Sequence, residues 1–229
     1  MNTPVKNIGG VFIVIPYYNE EKVIDKVIRE LDQYNVILVD DGSIQPVEKF
    51  VFSKNLFILR HRVNLGQGAA IQTGFEFALK NGAAYIITFD ADGQHDPADI
   101  PNLLLPLVAG EAELTLGSRF LSSNDSLKGG RRMLLKLARF VNYLFTGLFL
   151  SDAHNGVRAF SAEAAKRINL KENRMAHATE FLGIIKKQKI RFREVPVTVR
   201  YTAYSKKKGQ SAFQSIRIFF DLVLHKLFE

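Results

Sequence analysis

The sequence predicts an α/β fold with a mostly parallel central sheet flanked by helices, and three observations predict it. Short, continuous apolar runs recur along the chain, the pattern of strands buried on both faces. Segments with apolar residues at helical spacing lie between them. Strand and helix alternating in this way require crossover connections, and these pair strands in parallel with a right-handed sense.

Taken in order, VFIVI at 11–15 is the first strand. Residues 20–34 form a helix with Val23, Ile24, Val27, Ile28 and Leu31 on one face. VILV at 36–39 and LFIL at 56–59 are the second and third strands, and 67–80 is a helix. YIITF at 85–89 and LTLG at 114–117 are the fourth and fifth strands, and VPVTVR at 195–200 has strand alternation. Two further stretches read as amphipathic helices, in-plane or re-entrant at a membrane, the alternative being that they pack on the domain itself or on another subunit. In 131–150, Arg131, Arg132, Lys136 and Arg139 crowd one end. The uncharged remainder, 140–150, is about 16 Å long as a helix, half of the roughly 30 Å hydrocarbon thickness. In 211–229, Arg217, Asp221, His225 and Lys226 interrupt the apolar residues, and a mid-span charge costs roughly 2.5–3.5 kcal/mol.

The 229 residues are 47% hydrophobic, enough for a sizeable core, and carry a formal net charge of +8. The absence of cysteine excludes disulfides and thiolate metal sites. The basic excess lies in the second half: Arg131, Arg132, Lys136, Arg139, Arg158, then Lys186, Lys187, Lys189, Arg191, Arg193, then Lys206 to Lys208. Its neighbours are Leu, Phe and Ile, which fits an anionic membrane surface better than a nucleic-acid groove. No recognised nucleic-acid motif is present, and the first residues lack the apolar core of a secretory signal.

Chemistry is carried by carboxylates. Glu20 and Glu21 follow the first strand, Asp40 and Asp41 the second, Asp90 and Asp92 the fourth. Carboxyl ends of parallel strands form the binding crevice of an open α/β sheet, and carboxylates gathered there need a neutralising charge. Asp90-x-Asp92 on such a rim suits one hard cation, Mg2+ or Mn2+, which also binds substrate phosphates. A calcium loop starting at Asp90 is excluded, because His95 and Pro101 stand where Gly and Glu are required. Gln94 excludes a haloacid-dehalogenase-type aspartyl nucleophile. Asp96 and Asp99 read as capping or solvent residues, as do His95 and His154. Tyr17, Tyr201 and Tyr204 read as packing residues. NLGQGAAIQTG at 64–74 lacks the Gly-Lys-Ser/Thr of a phosphate loop. Its Gly66 and Gly68 either let backbone approach a planar base or open the helix.

IPYYNEE, VDDGS, NLGQGAAIQTG, FDADGQHDP, GSRF, NGVRAFS and VRYTAYSKKKGQS, in this order over 11–212, resemble the family-2 inverting glycosyltransferases. Within them the chain resembles the dolichyl- and polyprenyl-phosphate sugar synthases. The resemblance implies a GT-A fold with a Rossmann-like sheet, a nucleotide-diphosphate sugar donor and a divalent metal. It places the nucleoside on Pro16, Tyr18, Glu20 and Asp41, and the metal and diphosphate on Asp90, Asp92 and Gln94. It turns Arg119 and Arg131 to the acceptor phosphate and Lys206 to the donor diphosphate. The sequence departs from the family pattern at Asn155, which replaces a usual Cys, at Val157, which replaces Phe, and at Ala212, where many members have Lys.

On this reading residues 1–210 are the catalytic domain and 211–229 an amphipathic membrane- or partner-associated helix. The enzyme sits peripherally on the cytoplasmic face of the membrane. Family members that use a hydroxyl acceptor present an acidic pair near the sixth strand, and LSDAHNGVR offers a single Asp152. Asp152 is read either as a base or as the partner of Arg158. A polyprenyl phosphate acceptor and a UDP-linked donor are favoured. The alternative is extension of a cell-surface polysaccharide or lipid-linked oligosaccharide at a hydroxyl. Beyond donor, acceptor and membrane, the partners considered are a small membrane protein and a second copy of the chain as a homo-oligomer.

Overall fold

The computed structural model of the chain describes residues 10–47, 53–121, 140, 143, 147–153, 155–171 and 176–200. The strands are β1 (Val11–Tyr17), β2 (Asn35–Asp40), β3 (Leu56–Arg60), β4 (Tyr85–Thr88), β5 (Leu114–Ser118), β6 (Arg158–Ser161) and β7 (Phe192–Pro196). The helices are α1 (Glu21–Glu30), α2 (Gln67–Lys80), α3 (Ile100–Val108), α4 (Ala162–Arg167) and α5 (Ala176–Lys187), with a 3-10 turn, Pro97–Asp99, leading into α3.

One sheet of order β3-β2-β1-β4-β6-β5-β7 holds these elements together. Its pairs are parallel except where β6 runs antiparallel to both β4 and β5. β1 is central and almost wholly buried, which explains its unbroken apolar run. On one face Ile24, Val27, Leu31, Ile100, Leu103 and Leu107 of the α1 and α3 segments cover Val11, Ile13 and Ile15. On the other, Phe75, Phe160 and Phe181 cluster with Val14, Ile37 and Ile86. Phe160 meets Phe75 edge-on at 4.9 Å and Phe181 at 5.5 Å. Here α2 lies so close to β1 that a Cβ on Gly74 would come within 2.3 Å of Val14 Cγ1.

Four differences from the sequence reading have physical reasons. β6 was not anticipated, because RAFS opens on a charge and is too short to stand out. β7 is Phe192–Pro196 rather than 195–200. Both stretches alternate, but only the first pairs with β5. Residues 198–200 instead bond to the loop after β4: Thr198 N donates to Asp99 Oδ2 at 2.6 Å and Arg200 N to Gln94 O at 2.7 Å. α1 stops at Glu30, with a turn over 31–33. Of the stretch 131–150, Phe140 and Tyr143 are helical and 147–150 are not, with Gly147 at a left-handed φ of 69°. Arg131, His154, Lys206 and 211–229 lie outside the described residues. Among the described residues no helix is long and apolar enough to cross a membrane.

At the far end of the sheet Glu113 ties three elements. Its carboxylate accepts from Arg191 N at 3.1 Å and pairs with Arg167 at the end of α4. The Arg191 backbone N–H, then Arg167, hold its carboxyl below the ordinary 4.5. A lowered folded value gives stability that is present above pH 4.5 and lost as pH falls through it, because the unfolded chain takes up the proton first. Glu113→Gln should therefore cost about 1 kcal/mol at neutral pH. In urea unfolding the gap to the unsubstituted chain should narrow as the pH is lowered below 4.5.

Candidate active site

The carboxyl ends of β1, β2, β4 and β5 share one edge of the sheet, and antiparallel β6 begins there. Every sequence-predicted site residue within the described set falls at this edge. After β1, Asn19 adopts a φ of 52° and its N–H donates to Ser43 Oγ at 2.9 Å, while Ile44 N donates to Asn19 Oδ1 at 3.0 Å. The loops after β1 and β2 are thereby stitched together. Pro16 lies in β1 beneath them, Tyr18 is 46% exposed, and Glu20 stands at the N-cap of α1. Tyr17 is a core residue. Burial, then the Glu21 and Asp40 charges, push its phenol up to about 12.

Asp41 is buried and holds the loop before α2. Its Oδ1 accepts from Leu65 N at 2.9 Å and its Oδ2 from Gly66 N at 2.7 Å. His61 Nδ1 lies 2.7 Å from Oδ1, and His61 Nε2 lies 2.9 Å from Thr73 Oγ1. Gly66, at φ 99°, opens α2, a conformation that a side chain resists. Of the two roles read for this glycine, opening the helix is the one the backbone displays.

Asp90 sits in the densest part of the edge. His95 Nε2 lies 2.8 Å from its Oδ2, and Gln67 Nε2 is 3.4 Å from its Oδ1. Gly156 packs so tightly on it that an added Cβ would stand 2.2 Å from Oδ2. His95 is neither a capping nor a solvent residue. It is 6% exposed, edge-on to Phe89 at 5.2 Å, and bonded to Asp90. Asp92 closes a turn, accepting from Gln94 N at 2.9 Å, with the Gln94 amide 2.6 Å from its other oxygen. Asp96 does cap the 3-10 turn through Ala98 N, and it also pairs with Arg200 at 2.7 Å.

The second cluster centres on Asp152. Its hydrogen-bonded partner is Arg119, while Arg158 meets it through charge alone: Arg119 Nε donates to Oδ2 at 2.7 Å and Nη2 to Oδ1 at 3.1 Å. Oδ2 also accepts from Arg119 N at 3.2 Å and Asn155 Nδ2 at 3.2 Å. Asn155, the departure from the family's Cys, further accepts from Val157 N at 3.0 Å. The amide thus ties the loop to β6 from both sides, which a thiol does poorly. Arg158 is buried, not part of a basic surface. Its Nε donates to Asn155 O at 3.2 Å and its guanidinium lies 4.2 Å from the Phe181 ring centre. Burial pulls it down to about 10, against the charges of Asp90 and then Asp152, so it stays cationic at neutral pH.

Gln67, and Glu194 whose carboxylate bonds to Ser151 and Asp152, had no assigned role in the sequence reading, and His95 had only a capping or solvent one. Their partners are 5 to 43 residues away, and nothing in a single sequence marks such pairs. Because Gly156 leaves room for the Asp90 carboxylate, Gly156→Ala should displace it. Urea unfolding should show a loss of about 1–3 kcal/mol, with circular dichroism showing a folded chain.

Residues 12–169 match the family described as Glycosyl transferase family 2. The chain is 35% identical to an uncharacterized protein of Methanocaldococcus jannaschii, over 97% of this chain and 94% of that one. It is 32% identical to the UDP-N-acetylglucosamine–dolichyl-phosphate N-acetylglucosaminyltransferase of Methanococcus voltae, over 95% and 96% of the two chains. Its fold is similar to glucosyl-3-phosphoglycerate synthase of Mycobacterium tuberculosis, with a TM-score of 0.62 at 18% identity, covering 87% of this chain and 75% of that one. The sheet is therefore of the GT-A type, and the chain belongs to glycosyl transferase family 2.

Proposed function

We propose that this glycosyltransferase moves a sugar from a nucleotide-diphosphate sugar to a polyprenyl phosphate, with inversion at the anomeric carbon and with a divalent cation. The observation that carries the acceptor class is the engagement of Asp152. A hydroxyl acceptor needs a carboxylate placed to take its proton. Asp152 instead grips Arg119 with both oxygens, so this side of the site presents a held cation. A phosphate monoester has a second pKa near 6, is mostly dianionic at neutral pH, and attacks without a base. What it needs is relief from repulsion by the donor diphosphate, which a bidentate guanidinium supplies. Arg131 and Lys206 are assigned to the same work. The Methanococcus voltae relative is named for a UDP-linked donor and a dolichyl-phosphate acceptor, which favours UDP here.

The donor set fits a hard cation. Gln94 Nε2 donates to Asp92 Oδ2 at 2.6 Å, which sets the amide carbonyl oxygen beside the carboxylate oxygens as a second kind of oxygen donor. Among the described residues no group of three or more His, Cys, Asp or Glu side chains is gathered to hold a metal. Mg2+ and Mn2+ keep waters and take substrate phosphates as ligands, so they need few protein oxygens. Asp90, Asp92 and Gln94 would hold the ion, with Asp90 oriented by His95. A bound cation neutralises charge on the leaving diphosphate. Pro16, Tyr18 and Glu20, together with the 65–66 loop that Asp41 fixes, bind and orient the nucleoside.

Contact with the cytoplasmic face of the membrane is part of the proposal. Phe140, Tyr143 and Phe149 are 54%, 45% and 65% exposed, and large exposed aromatics beside lysines suit a bilayer interface.

The test is incubation of the protein with prenyl phosphate, Mg2+ and labelled UDP-sugars, followed by solvent extraction. The expected product is an acid-labile lipid carrying one sugar; label found only in longer glycan would overturn the acceptor assignment. Asp92→Asn and chelation by EDTA should each lower the rate at least 100-fold (about 2.7 kcal/mol). Full turnover in either would remove the cation from the mechanism.

A further inference from the structure

We propose that Glu194, in β7, is a positioning residue that sets Arg119 for the acceptor phosphate. The inference rests on the reading of Arg119 given under Proposed function.

Three donors converge on one oxygen of Glu194. Ser151 N reaches Oε1 at 2.7 Å, Ser151 Oγ at 2.6 Å and Asp152 N at 3.3 Å. The segment 147–152 has no regular secondary structure, so its backbone groups have no ladder to define them. The carboxylate does that work, and bonds to a charged acceptor are about twice as strong as neutral ones. Fixing the backbone of Ser151 and Asp152 fixes the Asp152 side chain, whose two oxygens hold Arg119 Nε and Nη2.

The same anchor acts on Arg119 from its other side. Ser151 Oγ is 2.5 Å from Ser118 Oγ, and Ser118 directly precedes Arg119. Ser118 Oγ also accepts from Phe120 N at 3.3 Å. Both neighbours of Arg119 in the chain and its own guanidinium are thus referred to one carboxylate oxygen on β7. Arg119 itself is 26% exposed in its side chain, while Asp152 behind it is 4% exposed. The guanidinium is therefore presented to a ligand from a sealed support. Bidentate recognition of a phosphate depends on the angle of the guanidinium plane, so loosening the support weakens the contact without removing the charge.

The experiment uses the full chain in detergent, with farnesyl phosphate as the probe, farnesol as the phosphate-free control, and UDP with Mn2+ as a donor-side control. Glu194→Gln should raise the farnesyl phosphate Kd about tenfold, and leave farnesol and UDP within twofold. Arg119→Ala should produce a similar loss, and Arg119→Ala with Glu194→Gln should bind no more weakly than Arg119→Ala alone, since one acts through the other. Ser151→Ala removes a single donor and should shift the Kd in the same direction by less; it decides the question should Glu194→Gln not fold. Unchanged farnesyl phosphate binding in these variants, a parallel loss for all three ligands, or full additivity with Arg119→Ala would each overturn the inference alone. Unchanged binding in Arg119→Ala would overturn the acceptor reading and the inference with it.

Discussion

A cation buried beneath carboxylates is the constraint on which the rest of the site depends. Arg158 is 8% exposed, and its charge is sustained by Asp90 and Asp152. A buried guanidinium without counter-charges costs several kcal/mol, and removing one partner of such a group typically costs 3–5 kcal/mol, about as much as a small domain can lose. The topology explains how it arrives there. β6 inserts antiparallel between β4 and β5, so its first residue stands at the edge where the other strands end. A charge opening a strand that ran parallel would have emerged at the opposite edge. The carboxylate clusters after β4 and before β6 are thus two halves of one electrostatic unit. The Phe181 ring 4.2 Å from the guanidinium helps to seal it from water.

β7 and the residues after it act as a brace for both halves. Glu194 holds the Asp152 side through Ser151. Beyond the strand, Arg200 donates its backbone N–H to Gln94 O and pairs through its side chain with Asp96 and Glu30. The turn carrying Asp92 and Gln94 is therefore fixed from outside by a segment more than 100 residues away in sequence. An isolated bridge between His95 and Val199 completes the pairing. Loops that bind charged ligands are ordinarily the loosest part of a domain; here the turn is pinned at both ends before any ligand arrives, which lowers the ordering cost of binding.

What the sequence made legible follows from how local each signal is. β1, β2 and α2 were read within two residues because an unbroken apolar run or a helical period is contained in the element itself. Asp90 and Asp92 were placed at a strand end for the same reason. β6 escaped because Arg158 breaks the apolar run of a strand whose three other residues are too few to show a period. β7 was displaced because 192–196 and 195–200 carry overlapping alternations, and only pairing with β5 decides between them. His95 looked like a solvent residue because it follows Asp-Gly-Gln; the Phe89 ring and the Asp90 carboxylate that bury it become its neighbours only when the turn folds back. Asp152 was read as a base or as the partner of Arg158, six positions away, whereas the closer grip comes from Arg119 across 33 residues.

The two arginines show how one carboxylate can serve opposite ends. Arg158 is sealed and capped by an aromatic ring, while Arg119 keeps about a quarter of its side chain in solvent. Asp152 lies between them as a shared counter-ion. Asp90 also faces Arg158, so two guanidinium groups and two carboxylates balance, and on the proposed reading a phosphate is met by hydrogen bonds from the exposed part of Arg119. A neutral hydroxyl finds the Asp152 carboxylate already bonded on both oxygens. On the proposed reading the site separates acceptor classes by the groups left to bond and not by shape. The discrimination should weaken as salt screens the exposed guanidinium while the buried one is left largely untouched.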